Sequence, residues 1–389
     1  MTAGLDFALF GAAPRFSELL PAGQLYYPEW KSYQKELTGI FERKYYTNQG
    51  PLVQLLEQKL QDYLGSRNVI CVTNMAVGLL VSAQALTLKG KILVPYVPSA
   101  LPLAWMGLDL VFCDLDLETL QMSLSDAEEK LQKDTITAVM GAHLWGGSCL
   151  PERFSEAAKA QSAAIFYDAS HAFGCEIQKK TIGSGERIEI FSLHETEILS
   201  GGEGGFITTN DDDLAEMLRN IRPSYLAPVR KIFEGTRTAN ARMSEAQAAI
   251  TLLNLENIQK YRKTNELLFQ SYQRLLRTIS GVQIVEPAGI TLSNYSRLIC
   301  LIDEKQFGVN RDMLLQILRA ENVEVLVPVY YPLPVNSKTM LPNTQRIAMN
   351  AVQLPLGSKV TPDHIESICE IIERIHENSI AICSKLEAS

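Results

Sequence analysis

The side chains of this sequence that could do chemistry come directly after apolar, strand-like runs. In VTNMAVG, Asn74 stands at the start of a predicted helix, where free backbone N–H groups and the helix dipole favour a phosphate. FYDASHAFG places Asp168 at the end of an apolar run, with His171 three residues later. FSLHETEILSGGEGG places Ser192 at the end of another, before a polar stretch and a glycine cluster. Ligands of open α/β sheets bind beyond the carboxyl ends of the strands, so these segments are candidates for a ligand site.

Each segment also has a purely structural interpretation. Asn74 alone is more often an ordinary helix N-cap. Asp168 and His171 are as readily a satisfied core pair as a carboxylate that faces the protonated ring nitrogen of a pyridine cofactor. The glycines after Ser192 permit close backbone approach to a phosphate, but they are equally typical of a hairpin that leads into the next strand.

The elements that must position these side chains alternate between β-rich runs and helical patterns. Strands are predicted in VICVT, KILVPYV, LDLVFCDLD, ITAVMGAHL, AAIFYDAS, IEIFSL and GGFITTN. One helix begins at Pro51 and ends at Gly65, another follows VICVT directly, and a third covers Glu152–Gln161. Asn210 reads as the N-cap of a further helix in DDDLAEMLRNIR. This alternation predicts an α/β fold, with a mainly parallel sheet covered by helices on both faces.

The C-terminal third has a different organisation. After a loop rich in Pro, Gly and Arg, one long helix is predicted from about Ser244 to Leu276. VQIVEP, SRLICLID, VEVLVPVYYPLP and a last helix near Pro362–His376 then alternate as a small α/β unit. We therefore predict a large domain over residues 1–250, and a long connecting helix with a small C-terminal domain over residues 251–389.

Composition narrows the function classes. The chain has 389 residues, 46% of them apolar, and a net charge of −8 without basic clusters, which argues against nucleic-acid binding. No apolar run is long enough to span a bilayer, and the N-terminus lacks the basic start of a signal peptide. The seven cysteines and five histidines are dispersed, so we expect free thiols in the cytoplasm and no metal site.

Taken in order, these segments resemble the DegT/StrS-type family of sugar aminotransferases, which are fold-type I pyridoxal-phosphate (PLP) proteins. The resemblance covers roughly residues 40–375 and includes TNQGPLVQLLEQKLQDYLG, AHLWGG, NARMSEAQAAI and VQLPLGSKVTPDHIESICEII. It implies a large cofactor-binding domain, a small C-terminal domain and a nucleotide-linked ketosugar as substrate.

The resemblance also implies a role for individual positions. Asp168 matches the aspartate that pairs with the pyridine nitrogen, and His171 the polar residue beside it. Ser192 matches the serine that binds the cofactor phosphate, and the helix-start phosphate loop matches Asn74, Met75 and Ala76. Asn240 matches an asparagine that reaches the phosphate in the neighbouring subunit's site, which implies a homodimer with shared sites.

Three positions depart from the family pattern. The lysine that forms the Schiff base with the cofactor stands five residues after the serine, where this chain has Glu197. The aromatic residue that stacks on the cofactor ring aligns with Ser99, and a hydroxyl residue of the phosphate loop aligns with Ala76. No other lysine is placed to substitute: Lys179 and Lys180 precede the strand, and Lys231 lies in the loop beyond.

Because a carboxylate cannot form an imine, two hypotheses from different classes remain. In the first, the chain uses non-covalent pyridoxamine phosphate (PMP) or PLP in a dehydratase-like or otherwise altered reaction, with Glu197 as base and His194 as helper. A precedent within the resemblance is the ketosugar 3-dehydratases, which have histidine at the lysine position. In the second, a catalytically inactive relative acts as a binding or partner subunit. A laboratory substitution at residue 197 would change one position, whereas Ser99 and Ala76 also depart from the pattern.

Overall fold

The computed structural model describes residues 5–185, 187–223, 238–329 and 341–387. Its largest sheet has seven strands. In chain order these are β1 (Asn68–Val72), β2 (Lys91–Pro95), β3 (Asp109–Cys113), β4 (Ile136–Ala142), β5 (Ala164–Asp168), β8 (Ile188–Ser192) and β9 (Gly205–Thr209). Between β5 and β8, the short strands β6 (Glu176–Ile177) and β7 (Lys180–Thr181) form a separate two-stranded ribbon.

The order of strands in the large sheet is β1-β9-β8-β5-β4-β2-β3. Strands β8, β5, β4, β2 and β3 run parallel to their neighbours in that series, and β9 runs antiparallel to both β8 and β1. The parallel strands β5 and β8 therefore end at the same edge of the sheet, which brings Asp168 and Ser192 to that edge. The predicted mainly parallel sheet is confirmed.

Among its described residues the N-terminal part has seven α-helices, and all but the first contact this sheet. They are α1 (Trp30–Arg43), α2 (Pro51–Leu64), α3 (Met75–Ala85), α4 (Pro102–Trp105), α5 (Leu124–Lys133), α6 (Pro151–Ala160) and α7 (Asp212–Ile221). Helix α2 begins with Pro51 and ends where Gly65 takes a left-handed conformation (φ 71°), as the sequence predicts. Separate hydrophobic clusters lie on the two faces of the sheet: Ile190 and Ile207 belong to one, and Phe191 and Phe206 to another.

A second, three-stranded sheet lies in the C-terminal part. It is antiparallel, in the order β10 (Val282–Ile284), β11 (Leu298–Ile302) and β12 (Ala351–Leu354). The helices of this part are α8 (Glu245–Leu255), α9 (Ile258–Leu276), α10 (Glu304–Phe307), α11 (Arg311–Ala320), α12 (Pro342–Asn350), α13 (Pro362–Glu377) and α14 (Ser379–Glu387). Phe7 and Leu20, from the N-terminal segment, share the hydrophobic cluster of this sheet.

Three local predictions are wrong. Asn210 is not the N-cap of α7, because the Asp211 side chain accepts from the Leu214 N–H instead. The Asn210 side chain accepts from the Arg67 N–H and donates to the Ser184 carbonyl.

The expected single helix is two helices, α8 and α9, because the chain turns at Asn257, whose N–H donates to the Asn254 carbonyl. VEVLVPVYYPLP forms isolated bridges at Val323 and Leu326 rather than a strand, and its part from residue 330 lies outside the described residues. Within the described residues, no helix is both long and apolar enough to cross a bilayer.

Candidate functional site

The start of α3 offers backbone donors. Asn74 is its N-cap, since Oδ1 accepts from the Val77 N–H at 2.9 Å. That bond leaves the N–H groups of Met75 and Ala76 without an acceptor among the described residues, as is usual in a first helical turn. The first residue of β9 lies against this turn: a Cβ atom on Gly205 would stand 2.8 Å from the Met75 nitrogen, so only glycine fits. Two donors at a helix N-terminus can bind a phosphate.

Asp168 ends β5 as a buried carboxylate with two donors. The Ser99 hydroxyl donates to Oδ2 at 2.5 Å, and the Ser170 N–H donates to Oδ1 at 2.9 Å. Burial raises the pKa of Asp168, and the hydrogen bonds from Ser170 and Ser99 oppose that rise. Ser99, at the position that the sequence pattern assigned to a stacking aromatic residue, is therefore a hydrogen-bond partner of the carboxylate.

Glu197 lies in the loop between β8 and β9, with 7% of its surface exposed. Its Oε1 accepts from Arg297 Nη2 at 2.9 Å, whereas Oε2 has no hydrogen bond among the described residues. Burial raises the pKa of Glu197, Arg297 lowers it, and the nearby charge of Asp168 raises it again. The two carboxylates therefore act on each other electrostatically, and one oxygen of Glu197 is left to accept a proton.

His171 is a neutral neighbour of this pair. Its Nδ1 accepts from the Trp145 N–H at 3.4 Å, so the ring proton must be on Nε2. Nε2 lies 4.0 Å from Glu197 Oε1, and this is the same oxygen that binds Arg297. Burial and the charge of Arg297 lower the pKa of His171 to about 3. His171 therefore presents an N–H group, not a positive charge, to Glu197.

The Ser192 hydroxyl and the His194 ring hydrogen-bond to groups other than the Glu197 carboxylate, although the Glu197 N–H donates to the His194 carbonyl at 3.0 Å. The Ser192 hydroxyl oxygen accepts from the His194 N–H at 3.2 Å. The His194 ring pairs with Thr196 Oγ1 at 2.9 Å, and its Nε2 is 3.9 Å from Glu203 Oε1. No hydrogen bond joins the His194 and Glu197 side chains among the described residues, so direct proton transfer between them has no support here.

Asn240 lies in the segment that contacts the end of β1, since the carbonyl of its neighbour Ala241 accepts from the Thr73 N–H at 2.9 Å. Its side chain is exposed and accepts from Arg242 Nε at 3.0 Å. Within the described part of the chain, no hydrogen bond joins it to Ser192 or to the start of α3.

Sequence reasoning missed Arg297. The residue belongs to NYSRLICLI, immediately before β11 of the C-terminal sheet, where an arginine at the edge of an apolar run was the only signal. It also left out Trp145, whose ring packs against that of His171 with centroids 5.2 Å apart.

Comparisons with a protein-family model and with individual relatives point to the same family. Residues 29–373 match the DegT/DnrJ/EryC1/StrS aminotransferase family. A dTDP-4-amino-4,6-dideoxy-D-glucose transaminase of Shigella dysenteriae is 30% identical over 347 residues, covering 86% of this chain and 93% of the relative. A GDP-perosamine synthase of Vibrio cholerae is 24% identical, covering 87% and 95%.

Solved structures have the same fold. DesI, determined in the presence of its TDP-sugar product, superposes with a TM-score of 0.91 at 26% identity, covering 99% of this chain and all of the other. The Escherichia coli GDP-4-keto-6-deoxy-D-mannose-3-dehydratase with bound hydrated PLP superposes with a TM-score of 0.77 at 18% identity, covering 90% of this chain and 100% of that one. At that identity the second likeness concerns the fold alone.

Proposed function

This chain belongs to the DegT/DnrJ/EryC1/StrS aminotransferase family, and from that premise we propose that it acts on a nucleotide-linked ketosugar with non-covalently held pyridoxamine phosphate. The reaction is dehydratase-like or otherwise altered, since a glutamate replaces the family's lysine. One observation carries the proposal: Glu197 is buried and bound by Arg297 through one oxygen, while the other is left as a base.

The residues present fit this cofactor. The free N–H groups of Met75 and Ala76, with Ser192, would hold its phosphate. Asp168 would face its ring nitrogen, and the Ser99 hydroxyl does not prevent this because a carboxylate oxygen accepts more than one hydrogen bond. When bound, pyridoxamine phosphate supplies a primary amine that reacts with a ketone and a ring that withdraws electrons.

The charges favour the amine form over the aldehyde form. Glu197 cannot bond covalently to an aldehyde, but its carboxylate attracts a protonated amine. Asp168, which accepts hydrogen bonds from Ser99 and Ser170, supplies a second carboxyl group, for the ring nitrogen. In the proposed reaction Glu197 Oε2 takes a proton from the substrate carbon, while Arg297 holds Oε1. The ring of His171 packs against Trp145 and keeps its N–H directed to that pair.

A second candidate function is that of a binding or partner subunit without turnover. The Ser99–Asp168 hydrogen bond and the Glu197–Arg297 ion pair favour it, because each gives a buried carboxylate a partner from within the chain, without any ligand. In that case the chain would keep the fold and the assembly of its relatives, and the site residues would have only structural roles.

Calorimetric titration with pyridoxamine phosphate and, in a second experiment, with pyridoxal phosphate distinguishes the enzyme from the partner subunit. We expect the natural chain to bind the amine form more tightly, and Glu197→Gln to lose that preference because its side chain is neutral. The Glu197→Lys variant should bind the aldehyde form with a new visible absorbance. If the natural chain binds neither form, the enzyme proposal is wrong and the partner-subunit function stands.

We also propose a homodimer with shared sites. Exposed aromatic side chains support it: Trp30 is 63% exposed, Phe41 64% and Trp105 84%. Trp30 and Phe41 are eleven residues apart on α1 and therefore lie on one face of the helix. Asn240 is exposed, as expected of a residue that reaches a neighbouring subunit.

The proposed substrate carries dTDP, because the relative with 30% identity is named for a dTDP-sugar. The proposed location is the cytoplasm, since the seven cysteines are free and six of them are buried.

A further inference from the structure

An arginine of the C-terminal part reaches the position of the missing lysine. Arg297 directly precedes β11, one hundred residues after Glu197 in the chain. Its Nη2 donates to Glu197 Oε1 at 2.9 Å, and the two side chains are only 6% and 9% exposed. The pair therefore connects the C-terminal sheet to the loop between β8 and β9 through a buried contact.

Stability alone does not explain such a pair. Removing two charges from water costs several kcal/mol per ion, and the attraction between them often only balances that cost. The guanidinium is also incompletely satisfied, because its Nε is buried without a hydrogen-bond partner. A pair of apolar residues would connect the two parts of the chain without this cost.

The contact does fix the carboxylate. Arg297 donates to Oε1, and His171 Nε2 lies 4.0 Å from the same oxygen, so both groups face the same end of the carboxylate. Oε2 is left without a hydrogen bond among the described residues. The two oxygens of Glu197 therefore differ: Oε1 is bound by Arg297, and Oε2 is available as a base.

We propose that Arg297 is a positioning residue, which keeps Glu197 ionised and leaves Oε2 as the proton acceptor. This inference rests on the proposed function, in which Glu197 is the base. Arg297 does not touch the substrate in this account, and it acts only through the carboxylate.

The other charged and titratable groups around Glu197 determine the effect of losing Arg297. Asp168 raises the pKa of Glu197, as burial does, while His194 lowers it; His171 is neutral. Without Arg297, the two largest remaining influences therefore favour the protonated carboxyl. Because an opposite charge nearby shifts a carboxyl pKa by about one to three units, its removal should move the pH at which Glu197 ionises upward by that amount.

The test is the pH dependence of pyridoxamine phosphate affinity in Arg297→Met, Arg297→Lys and the natural chain. We expect the rise of affinity with pH to occur about one to three pH units higher in Arg297→Met, with a smaller shift in Arg297→Lys, which keeps the charge. Arg311→Met is the matched control, because it removes another buried arginine of the C-terminal part, one that binds the Ala351 carbonyl. It should leave the pH profile unchanged.

Folding is checked on the same samples. If Arg297→Met unfolds, Glu197→Gln/Arg297→Met should restore folding, because no buried charge is then left unpaired. An unshifted pH profile in folded Arg297→Met, with the natural chain still binding, would overturn the role of Arg297 alone. Absence of binding by the natural chain would instead overturn the proposed function, so the two failures are distinguishable.

Discussion

At the residue scale, the site is a set of opposed charges around a neutral histidine. Asp168 and Glu197 are both buried carboxylates, Arg297 is the cation between β11 and the site, and His171 is held neutral by burial and by that cation. Buried charges persist only where partners satisfy them. This set favours a ligand with two positive centres, such as a ring nitrogen and an amine.

Asp168→Asn tests the ring-nitrogen end of this arrangement. The change removes a charge-assisted hydrogen bond, worth about 1.5–3 kcal/mol, so the dissociation constant for pyridoxamine phosphate should rise at least about tenfold. Calorimetry at neutral pH measures it. Glu189→Gln is the control: it replaces a buried carboxyl group on the other face of the sheet, and the affinity should stay the same.

The sequence was sufficient to predict site residues that belong to short, local patterns. It was insufficient for residues that come into contact only when the chain folds. Asp168 and Asn74 follow apolar runs directly, and the structure places Asp168 at the end of β5 and Asn74 two residues after β1, at the start of α3. The hydrogen bonds of Ser99 to Asp168 and of Arg297 to Glu197 join residues that are 69 and 100 positions apart in the chain. No local pattern encodes such contacts, so an arginine beside an apolar run gave no sign of its partner.

At the element scale, β8 contains a buried carboxyl group away from the site. Burial raises the pKa of Glu189 to about 7, against the opposing effects of the Gly183 backbone and Arg187, and its Oε2 has no hydrogen-bond partner. The folded chain therefore holds a proton that the unfolded chain has released. Stability from this group is lost as pH rises from about 4.5 to about 7.

Glu189→Gln should remove the loss of folding stability that Glu189 causes as the pH rises. Relative to the natural chain, the variant should be more stable at pH 8 by up to about 3 kcal/mol and about equally stable at pH 4.5. Urea unfolding at the two pH values measures the difference. An equal effect of the substitution at both pH values would show that Glu189 is not protonated in the folded chain.

The contact between β9 and α3 makes a second prediction at this scale. Alanine at Gly205 would place a Cβ atom 2.8 Å from the Met75 nitrogen and 2.9 Å from the Asn74 carbonyl carbon, both of them backbone atoms. Because neither can move without shifting the helix start, Gly205→Ala should destabilise the chain by about 1–3 kcal/mol and weaken phosphate binding.

Thermal unfolding and titration with pyridoxamine phosphate measure both effects. The control is Gly39→Ala in α1, where the added Cβ would meet only the end of the flexible Arg43 side chain. That change should be neutral or slightly stabilising, because alanine favours a helix. Normal affinity in Gly205→Ala would show that the start of α3 does not bind the phosphate.

Element boundaries followed the sequence where a cap is unambiguous. Pro51 and Gly65 delimit α2 as predicted, whereas α7 could not be placed to the residue because Asn210 and Asp211 are equally good N-caps. The break between α8 and α9 has neither glycine nor proline to mark it. The bridges at Val323 and Leu326 show that an apolar, β-branched run forms a strand only where a partner lies alongside.

At the scale of the whole molecule, the alternation of strands and helices was enough to predict a mainly parallel sheet, because parallel strands require crossover connections. The composition could not indicate how the C-terminal sheet meets the site. Arg297 makes that connection, and the exposed aromatic residues of α1 mark a further surface.

The proposed homodimer can be tested at this scale by the mass of the protein in solution. The chain should sediment with twice its mass of 43.3 kDa, and Trp30→Ala/Phe41→Glu should sediment as a monomer because it removes the exposed apolar face of α1. Ile380→Glu, at an even more exposed apolar residue of α14, is the control and should remain a dimer. A natural chain that is monomeric at micromolar concentration would contradict the proposed shared sites.

The most direct test of the central claim is hydrogen exchange on the sugar. The protein, pyridoxamine phosphate and the 4-keto counterpart of the dTDP-sugar for which the Shigella relative is named are mixed in deuterated water, and proton NMR follows the hydrogens next to the ketone. We predict faster exchange with the natural chain than with Glu197→Gln at equal cofactor occupancy, because only the former has a carboxylate base at that position. Equal exchange rates in the two would contradict the assignment of Glu197 as the base.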